Sequence, residues 1–127
     1  MMVLVDTSVW IRFLANRAPY AVELDSLLSR DEVVGHELIY GELLIGDRGG
    51  RKKLLALYEQ MRQVSVVPHA DVVSFARVRN LHGRGVGWIE VHLLASTIVG
   101  GTRLWTADAR CRTLAEQLGI AYAPIFQ

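Results

Sequence analysis

The sequence predicts an α/β protein built around a parallel sheet, on three grounds. Short apolar runs typical of buried strands alternate with longer segments in which apolar residues recur at helical spacing. Glycine and proline stand between these segments, where turns are expected. Strands separated by helical crossovers pair in parallel, with helices covering both faces of the sheet. The 127 residues, 51% of them hydrophobic, suit one such unit, and we expect a single domain over 1–127.

The first half of the chain holds two predicted strands and four predicted helices. In order, they are a strand at 2–5, a helix at 7–15, a helix that begins at Pro19, a short strand at 32–34, a helix at 36–45 and a helix from Arg51 onward. The expected apolar positions of the helix at Pro19 are Val22, Leu24, Leu27 and Leu28. Those of the helix at Arg51 are Leu54, Leu55, Leu57, Tyr58 and Met61.

The second half continues the alternation. Its predicted elements are a strand at 64–67 that Pro68 ends, a helix at 71–81, a helix at 89–99, a strand at 104–106, a helix at 109–118 and a strand at 120–123. The pair Gly100 and Gly101 is expected to close the helix at 89–99, because glycine favours the left-handed conformation at helix ends. Gly119 is expected to stop the helix at 109–118.

The composition favours a cytoplasmic protein without a membrane segment. No apolar run approaches the ~18 residues that a membrane-spanning helix requires. The N-terminus lacks the basic stretch of a secretory signal, and Asp6 interrupts its apolar run. A lone Cys111 cannot form an internal disulfide, which is typical of a reducing compartment.

The basic residues are mostly arginine, with 12 Arg against Lys52 and Lys53 alone. Arginine suits phosphate because its planar guanidinium donates two parallel hydrogen bonds. A single arginine is more often a solvated surface residue, but several around an acidic site would hold a polyanion. Three from the later clusters are weak candidates for binding RNA: Arg84, Arg110 and Arg112.

Four carboxylates stand where an ordinary domain has little use for them. Asp6 follows the first strand, and Asp108 follows Thr106 at the end of a later strand. In parallel sheets, ligands bind beyond the carboxyl ends of the strands. Each aspartate also has a structural alternative, since it precedes a helix that it could cap.

The other two carboxylates, Glu42 and Glu90, interrupt the apolar stripes of predicted helices. Glu42 shares a helix face with Leu38, Ile39 and Ile45. Glu90 shares one with Leu93, Leu94 and Thr97. A carboxylate on a buried face costs several kcal/mol unless it is paired or binds a metal. The alternatives are that Glu42 reaches water or pairs with an arginine, and that Glu90 interacts with its helix N-terminus.

Together the four acids predict an oxygen-rich site suited to Mg²⁺ or Mn²⁺. The histidines lack the spacing of a zinc site, and Ser8 has no convincing histidine partner for acyl chemistry. Acid-bound metal ions favour hydrolysis at phosphorus, because they neutralise phosphate and lower the pKa of a bound water. Glu42 is the most plausible residue to orient or deprotonate that water.

Four segments resemble the PIN-domain ribonucleases, and most closely the VapC toxins of toxin–antitoxin pairs. They are VLVDTSVWI with Asp6, HELIYGELLIG with Glu42, GVGWIEVHLLAS with Glu90, and LWTADARC with Thr106 and Asp108. The resemblance covers essentially the whole chain. It implies a three-layer sandwich with a central parallel sheet, Mg²⁺ or Mn²⁺ dependence, RNA as substrate, a cognate antitoxin and a homodimer.

The resemblance also implies a role for each site residue. Asp6, Glu90 and Asp108 would bind metal, and Glu42 would be the supporting acid. The hydroxyls that would orient the site are those of Thr7, Ser8 and Thr106.

Glu90 departs from the family pattern, which usually has Asp at this position. The extra methylene moves the carboxylate outward by ~1.5 Å, and Mg²⁺ tolerates little deviation from octahedral geometry. An impaired PIN domain that binds RNA or antitoxin without cleaving is therefore the chief alternative. A phosphotransfer domain of the haloacid-dehalogenase or receiver type is less favoured. Such a domain needs a lysine that supports its acceptor aspartate, and Lys52 and Lys53 are poorly placed for this role.

Overall fold

The computed structural model describes residues 1–124 and contains a parallel sheet, as predicted. Its strands are β1 (Val3–Val5), β2 (Val33–Val34) and β3 (Arg103–Trp105), in the order β2-β1-β3. β1 pairs with β2 through Val3↔Val33 and with β3 through Leu4↔Leu104. All of β1 is buried, although successive side chains of a strand point to opposite faces. Both faces of the central strand are therefore covered.

The predicted helices are all present, with bounds that differ by one to three residues. They are α1 (Thr7–Leu14), α2 (Tyr20–Ser29), α3 (Glu37–Ile45), α4 (Lys52–Gln60), α5 (His69–Val78), α6 (Trp88–Gly100) and α7 (Ala109–Gln117). Gly101 ends α6 with φ 66, the left-handed conformation expected of a helix-closing glycine. Within residues 1–124, no helix is long and apolar enough to cross a membrane.

The core lies between β1 and the helices packed on it. Its largest fully buried side chains are Trp10 of α1 and Tyr58 of α4, whose rings meet edge to face at 5.6 Å between centroids. Such aromatic pairs add stability beyond the apolar area they bury. They fix α1, which begins directly after Asp6, against the rest of the domain.

Two predicted strands were wrong, because a single bridge to the sheet is found in place of each. Instead of a strand at 64–67, Gln63 alone pairs with Gly35. Val64 N still donates to Gly35 O at 2.9 Å, but the chain turns into α3 after His36, so the pairing extends no further. Instead of a strand at 120–123, Ala121 alone pairs with Leu104.

Three residues that were assigned to apolar helix faces are exposed. Ile45 is 88% exposed, Val22 is 73% exposed, and Leu57 is also on the surface. Val22 precedes the buried Leu24 by two positions, which places it on the far side of α2. Ile45 is the last residue of α3 and extends beyond the core. Helical periodicity identifies the apolar face, but it does not show where the neighbouring elements end.

His36 joins β2, α3, α4 and α6 through buried hydrogen bonds. Its Nδ1 accepts from Leu38 N at 3.1 Å and so caps α3. Its Nε2 lies 3.0 Å from Ser96 Oγ, and its backbone N donates to Tyr58 Oη at 2.9 Å. His36 is 0% exposed, and burial, with a smaller contribution from His92, lowers its pKa to about 4. The imidazole is therefore neutral at pH 7.

We predict that His36 makes the fold less stable in acid. Its pKa is about 4 in the folded chain against 6.5 in the unfolded chain, so the unfolded state gains a proton first as the pH falls. Its contribution to stability is complete above pH 6.5 and decreases toward pH 4, by an amount on the order of 2–3 kcal/mol. His36→Asn keeps a capping side chain without this titration. Urea denaturation at pH 7 and pH 4 should therefore show a smaller pH-dependent loss in the variant.

The exposed His82 provides the matched control for that experiment. His82→Asn should lose as much stability between the two pH values as the unmodified protein does. Equal losses in His36→Asn and the unmodified protein would contradict the assignment.

Candidate functional site

The site is centred where β1 and β3 end at the same edge of the sheet. Asp6 directly follows β1, and its backbone N donates to Trp105 O of β3 at 2.9 Å. Thr106 follows β3 and is buried beside it. The parallel pairing therefore brings residues 100 positions apart into contact.

Asp6 is held by hydroxyl groups and does not cap α1. Its Oδ2 accepts from Ser8 Oγ at 2.7 Å and from Thr106 Oγ1 at 2.8 Å. Although Asp6 stands at the N-cap position, its side chain makes no capping hydrogen bond. Asp6 is only 5% exposed. The capping alternative is therefore wrong for this residue, and the carboxylate is buried for another reason.

The Thr106 and Ser8 hydroxyls also connect Asp6 to the segment that carries Asp108. Thr106 Oγ1 accepts from Asp108 N at 3.1 Å, and Ser8 Oγ accepts from Ala107 N at 3.0 Å. Each hydroxyl thus donates to the Asp6 carboxylate and accepts from a backbone N–H at or next to Asp108. The conformation of 106–108 is fixed relative to Asp6.

Glu42 is half-buried on α3 and is bound to α1. Thr7 Oγ1 donates to Glu42 Oε1 at 2.5 Å. Of the neighbours expected on its helix face, Ile39 is buried and Leu38 is half-buried, whereas Ile45 is exposed. The expected alternative, an arginine partner, is not found among residues 1–124, where the ion pair formed is Arg30–Glu32 at 3.2 Å.

Glu90 and Asp108 both realise the structural alternatives considered for them. Glu90 Oε1 accepts from Gly87 N at 2.8 Å, at the start of α6. Asp108 Oδ1 accepts from Cys111 N at 2.9 Å and so caps α7. Each bond uses one carboxylate oxygen, and a carboxylate has two. Helix capping and a role in the site are therefore compatible for both residues.

Electrostatics places Asp6, Glu90 and Asp108 in one cluster. Burial raises the pKa of Glu90, and the negative charges of Asp108 and Asp6 raise it further, which outweighs the hydrogen bond from Gly87. Burial likewise raises the pKa of the Cys111 thiol, and the same three carboxylates add to the effect. The thiol is fully buried and uncharged, so it is not a nucleophile.

The acidic cluster fits Mg²⁺ or Mn²⁺ by the type of its donor atoms. Carboxylates and hydroxyls are the ligands these hard cations prefer, and like charges close together are stabilised by a cation. Among residues 1–124, however, no three acidic, histidine or cysteine side chains are already spaced to hold a metal ion. Completing such a set requires the carboxylates to turn their remaining oxygens toward one point.

The arginine candidates lie around α7. Arg84 donates to Gln117 Oε1 at 2.9 Å. Arg110 lies over Gly85, where an added Cβ would come within 2.5 Å of its guanidinium. Arg112 lines a cavity of about 610 Å³ that begins at Thr106. Tyr20 and Tyr122 also line this cavity and were not predicted from the sequence, because they come from distant segments.

Comparisons with known proteins show the family of the chain. The PIN domain model matches residues 3–117, a range that contains all four acids. Two curated relatives, each named Ribonuclease VapC32, come from the CDC 1551/Oshkosh and ATCC 25618/H37Rv strains of Mycobacterium tuberculosis. Each is 41% identical over 123 residues, which is 96% of this chain and 97% of the relative.

We predict that Glu90→Gln stabilises the metal-free protein at neutral pH. The folded-state pKa of Glu90 is raised above 4.5, so its ionised form opposes folding at higher pH. Glutamine removes that charge and can still accept from Gly87 N. In EDTA, urea denaturation at pH 7 should give a higher free energy of unfolding for the variant, and the difference should vanish as the pH falls below 4.5.

Glu59→Gln on α4, an exposed position, is the matched control and should leave stability unchanged. If Glu90→Gln were less stable at pH 7, the favourable interaction of the Glu90 charge with the N-terminus of α6 would exceed its repulsion by Asp6 and Asp108. That result would contradict the electrostatic cluster.

Proposed function

The chain belongs to the PIN-domain family, and we propose that it is a metal-dependent endoribonuclease, the toxin of a type II toxin–antitoxin pair. The observation that carries the proposal is the cluster of Asp6, Glu90 and Asp108, which have no ion-pair partner among residues 1–124. The printed name of the relatives, ribonuclease, supports RNA as the substrate.

Mg²⁺ or Mn²⁺ would be held by Asp6, Glu90 and Asp108. When bound, such an ion neutralises the phosphate and lowers the pKa of a coordinated water. Ser8 and Thr106 both donate to Asp6 Oδ2, which restrains this carboxylate and leaves Oδ1 free to turn toward a metal ion. Preorganised ligands avoid reorganisation during the reaction, and groups that orient them typically contribute tenfold to a hundredfold in affinity or activity.

Glu42 is proposed to orient or deprotonate the attacking water. Thr7 donates to its Oε1, which holds the side chain across the gap between α3 and α1. The second oxygen, Oε2, can then accept a proton from water. The cost of burying this carboxylate without a cationic partner is understandable if it serves such a role.

Arg84, Arg110 and Arg112 are proposed to attract the RNA backbone toward the acids. The acidic cluster alone would repel a polyanion, whereas exposed arginines raise the local concentration of phosphate. Arg110 and Arg112 lie in the first turn of α7, directly after Asp108, whereas Arg84 contacts Gln117 at the other end of this helix.

A cognate antitoxin protein and a homodimer complete the proposal, which also assigns the protein to the cytoplasm. Family likeness supports both partners. Exposed apolar side chains at the end of α3, Leu44 and Ile45, add physical support because such patches mark protein interfaces.

The alternative function is an impaired PIN domain that binds RNA or antitoxin without cleaving. The observation that favours it is the bond between Glu90 and Gly87 N, which holds the longer side chain at its own helix terminus. A carboxylate held there is less free to complete a metal site.

We predict that Asp6→Asn and Glu42→Gln each lower RNA cleavage by at least about a hundredfold, because a metal ligand and a general base are lost. Protein freed of any antitoxin would be incubated with RNA and Mg²⁺ or Mn²⁺, and products would be resolved on a gel. Asp71→Asn and Glu59→Gln, which change exposed acids outside the cluster, should cleave normally. Identical traces from all five proteins would refute the enzyme.

We further predict that Glu90→Asp distinguishes the two functions. Aspartate draws the carboxylate back by ~1.5 Å, and a misplacement of about 1 Å can cost a hundredfold in rate. If Glu90 already completes a working site, shortening it should lower the rate of cleavage by about a hundredfold. A gain of about a hundredfold from near-background cleavage would instead support the impaired domain.

A further inference from the structure

A cavity of about 610 Å³ lies next to the acidic cluster, and its aromatic lining has no role in the chemistry proposed above. It is formed by the start of α2, the end of β3, α7 and the segment at 121–124. Thr106, whose hydroxyl donates to Asp6, lies where the cavity meets the cluster. The volume lies within the range of about 300–1,000 Å³ that is typical of small-ligand sites.

One wall of the cavity is aromatic and fixed in place. Trp105 is 3% exposed and stacks on Tyr20 with 6.0 Å between ring centroids, while Tyr122 lies 5.5 Å from it on another side. The Tyr122 hydroxyl donates to Glu23, and the Arg12 guanidinium lies 5.5 Å from the Tyr20 ring. Rings held in this way form a rigid apolar wall, and aromatic side chains are the groups on which unstacked nucleobases bind.

α7 forms another part of the lining and contributes two charged residues that follow Asp108 along the helix. Arg112 and Glu116 line the cavity, and Arg112 N donates to Asp108 O at 2.9 Å. Four residues advance about 6 Å along a helix, so Asp108, Arg112 and Glu116 follow one another in nearly equal steps. An RNA strand that runs from the acidic cluster along α7 therefore meets Arg112, which can bind phosphate. It then meets Glu116, which can accept a hydrogen bond.

We propose that this cavity is a nucleotide subsite that takes the base next to the cleaved phosphodiester and prefers bases with an exocyclic amino group. This inference rests on the proposed ribonuclease function. The ring wall stacks the base, Arg112 binds its phosphate, and Glu116 accepts from the amino group.

The preference follows from the chemistry of Glu116. An ionised carboxylate only accepts hydrogen bonds, so it selects the amino groups of cytosine, adenine and guanine. The N3–H of uracil is its one ring donor, and it lies between two carbonyl oxygens that repel the second carboxylate oxygen. Uracil is therefore disfavoured.

The experiment maps the cleavage sites of a random-sequence RNA by sequencing the fragment ends. For the unmodified protein, amino-bearing bases should exceed uracil by about threefold to tenfold at one position beside the cut, which is the value of one hydrogen bond. Glu116→Gln should lose most of this preference while it still cleaves, because an amide both donates and accepts. Both residues at the subsite rim are exposed, so their substitution should leave thermal stability unchanged.

Arg112→Ala should give a result that differs from that of Glu116→Gln and that loss of a purely structural contact would not produce. Cleavage should weaken for all sequences alike, and the logarithmic salt dependence of RNA binding should decrease by about 0.7, the value for one phosphate contact with a single strand. Thr113→Ala is the matched control on the same helix, since its exposed hydroxyl donates only to Ala109 O.

The outcomes separate this inference from the proposed function. Cleavage with the same base preference in Glu116→Gln would overturn the subsite and leave the ribonuclease intact. If the unmodified protein does not cleave, the ribonuclease proposal fails, and binding of labelled penta-cytidylate and penta-uridylate is measured by fluorescence anisotropy. A cytidylate preference that Glu116→Gln removes supports the subsite, whereas equal ratios overturn it.

Discussion

The parallel pairing of β1 with β3 is the constraint on which the rest of the site depends. It sets Asp6 N against Trp105 O and thereby brings the Thr106 hydroxyl to the Asp6 carboxylate. A slip of one residue would move every side chain of β1 to the opposite face. Because β1 is buried on both faces, such a slip would exchange the contacts of the whole core. The hydrophobic core therefore fixes the geometry of a polar site at its edge.

The acidic cluster lowers the stability of the fold locally, and the rest of the fold accommodates this cost. Asp6 is buried, and Glu90 has a raised pKa caused by burial and by the charges of its neighbours. Hydroxyl groups and helix-terminal N–H groups offset part of this cost, but neither cancels the repulsion between carboxylates. Structures usually depart from favourable local energetics at functional sites. The cluster is thus not explained by any contribution to stability, which agrees with the metal site proposed above.

The sequence predicted more of the site than of the surface around it. Asp6 and Asp108 could be placed because strand ends in parallel sheets converge, which is a property of topology. The strand at 64–67 could not be excluded, because its apolar pattern is correct and its pairing ends only where the neighbouring chain turns into α3 at His36. The bond from Thr7 to Glu42 and the cavity beside Thr106 depend on how α1, α3 and α7 pack, and periodicity contains no such information.

His36 connects the two helices whose acids come from apolar faces. It caps α3, which carries Glu42, and its Nε2 meets Ser96 Oγ on α6, which carries Glu90. An imidazole whose Nδ1 accepts from the backbone has its proton on Nε2 when neutral, so it donates to Ser96. Protonation of Nδ1 would abolish the cap on α3 and leave a buried charge between the helices. The neutrality of one buried histidine thus maintains the relative placement of Glu42 and Glu90.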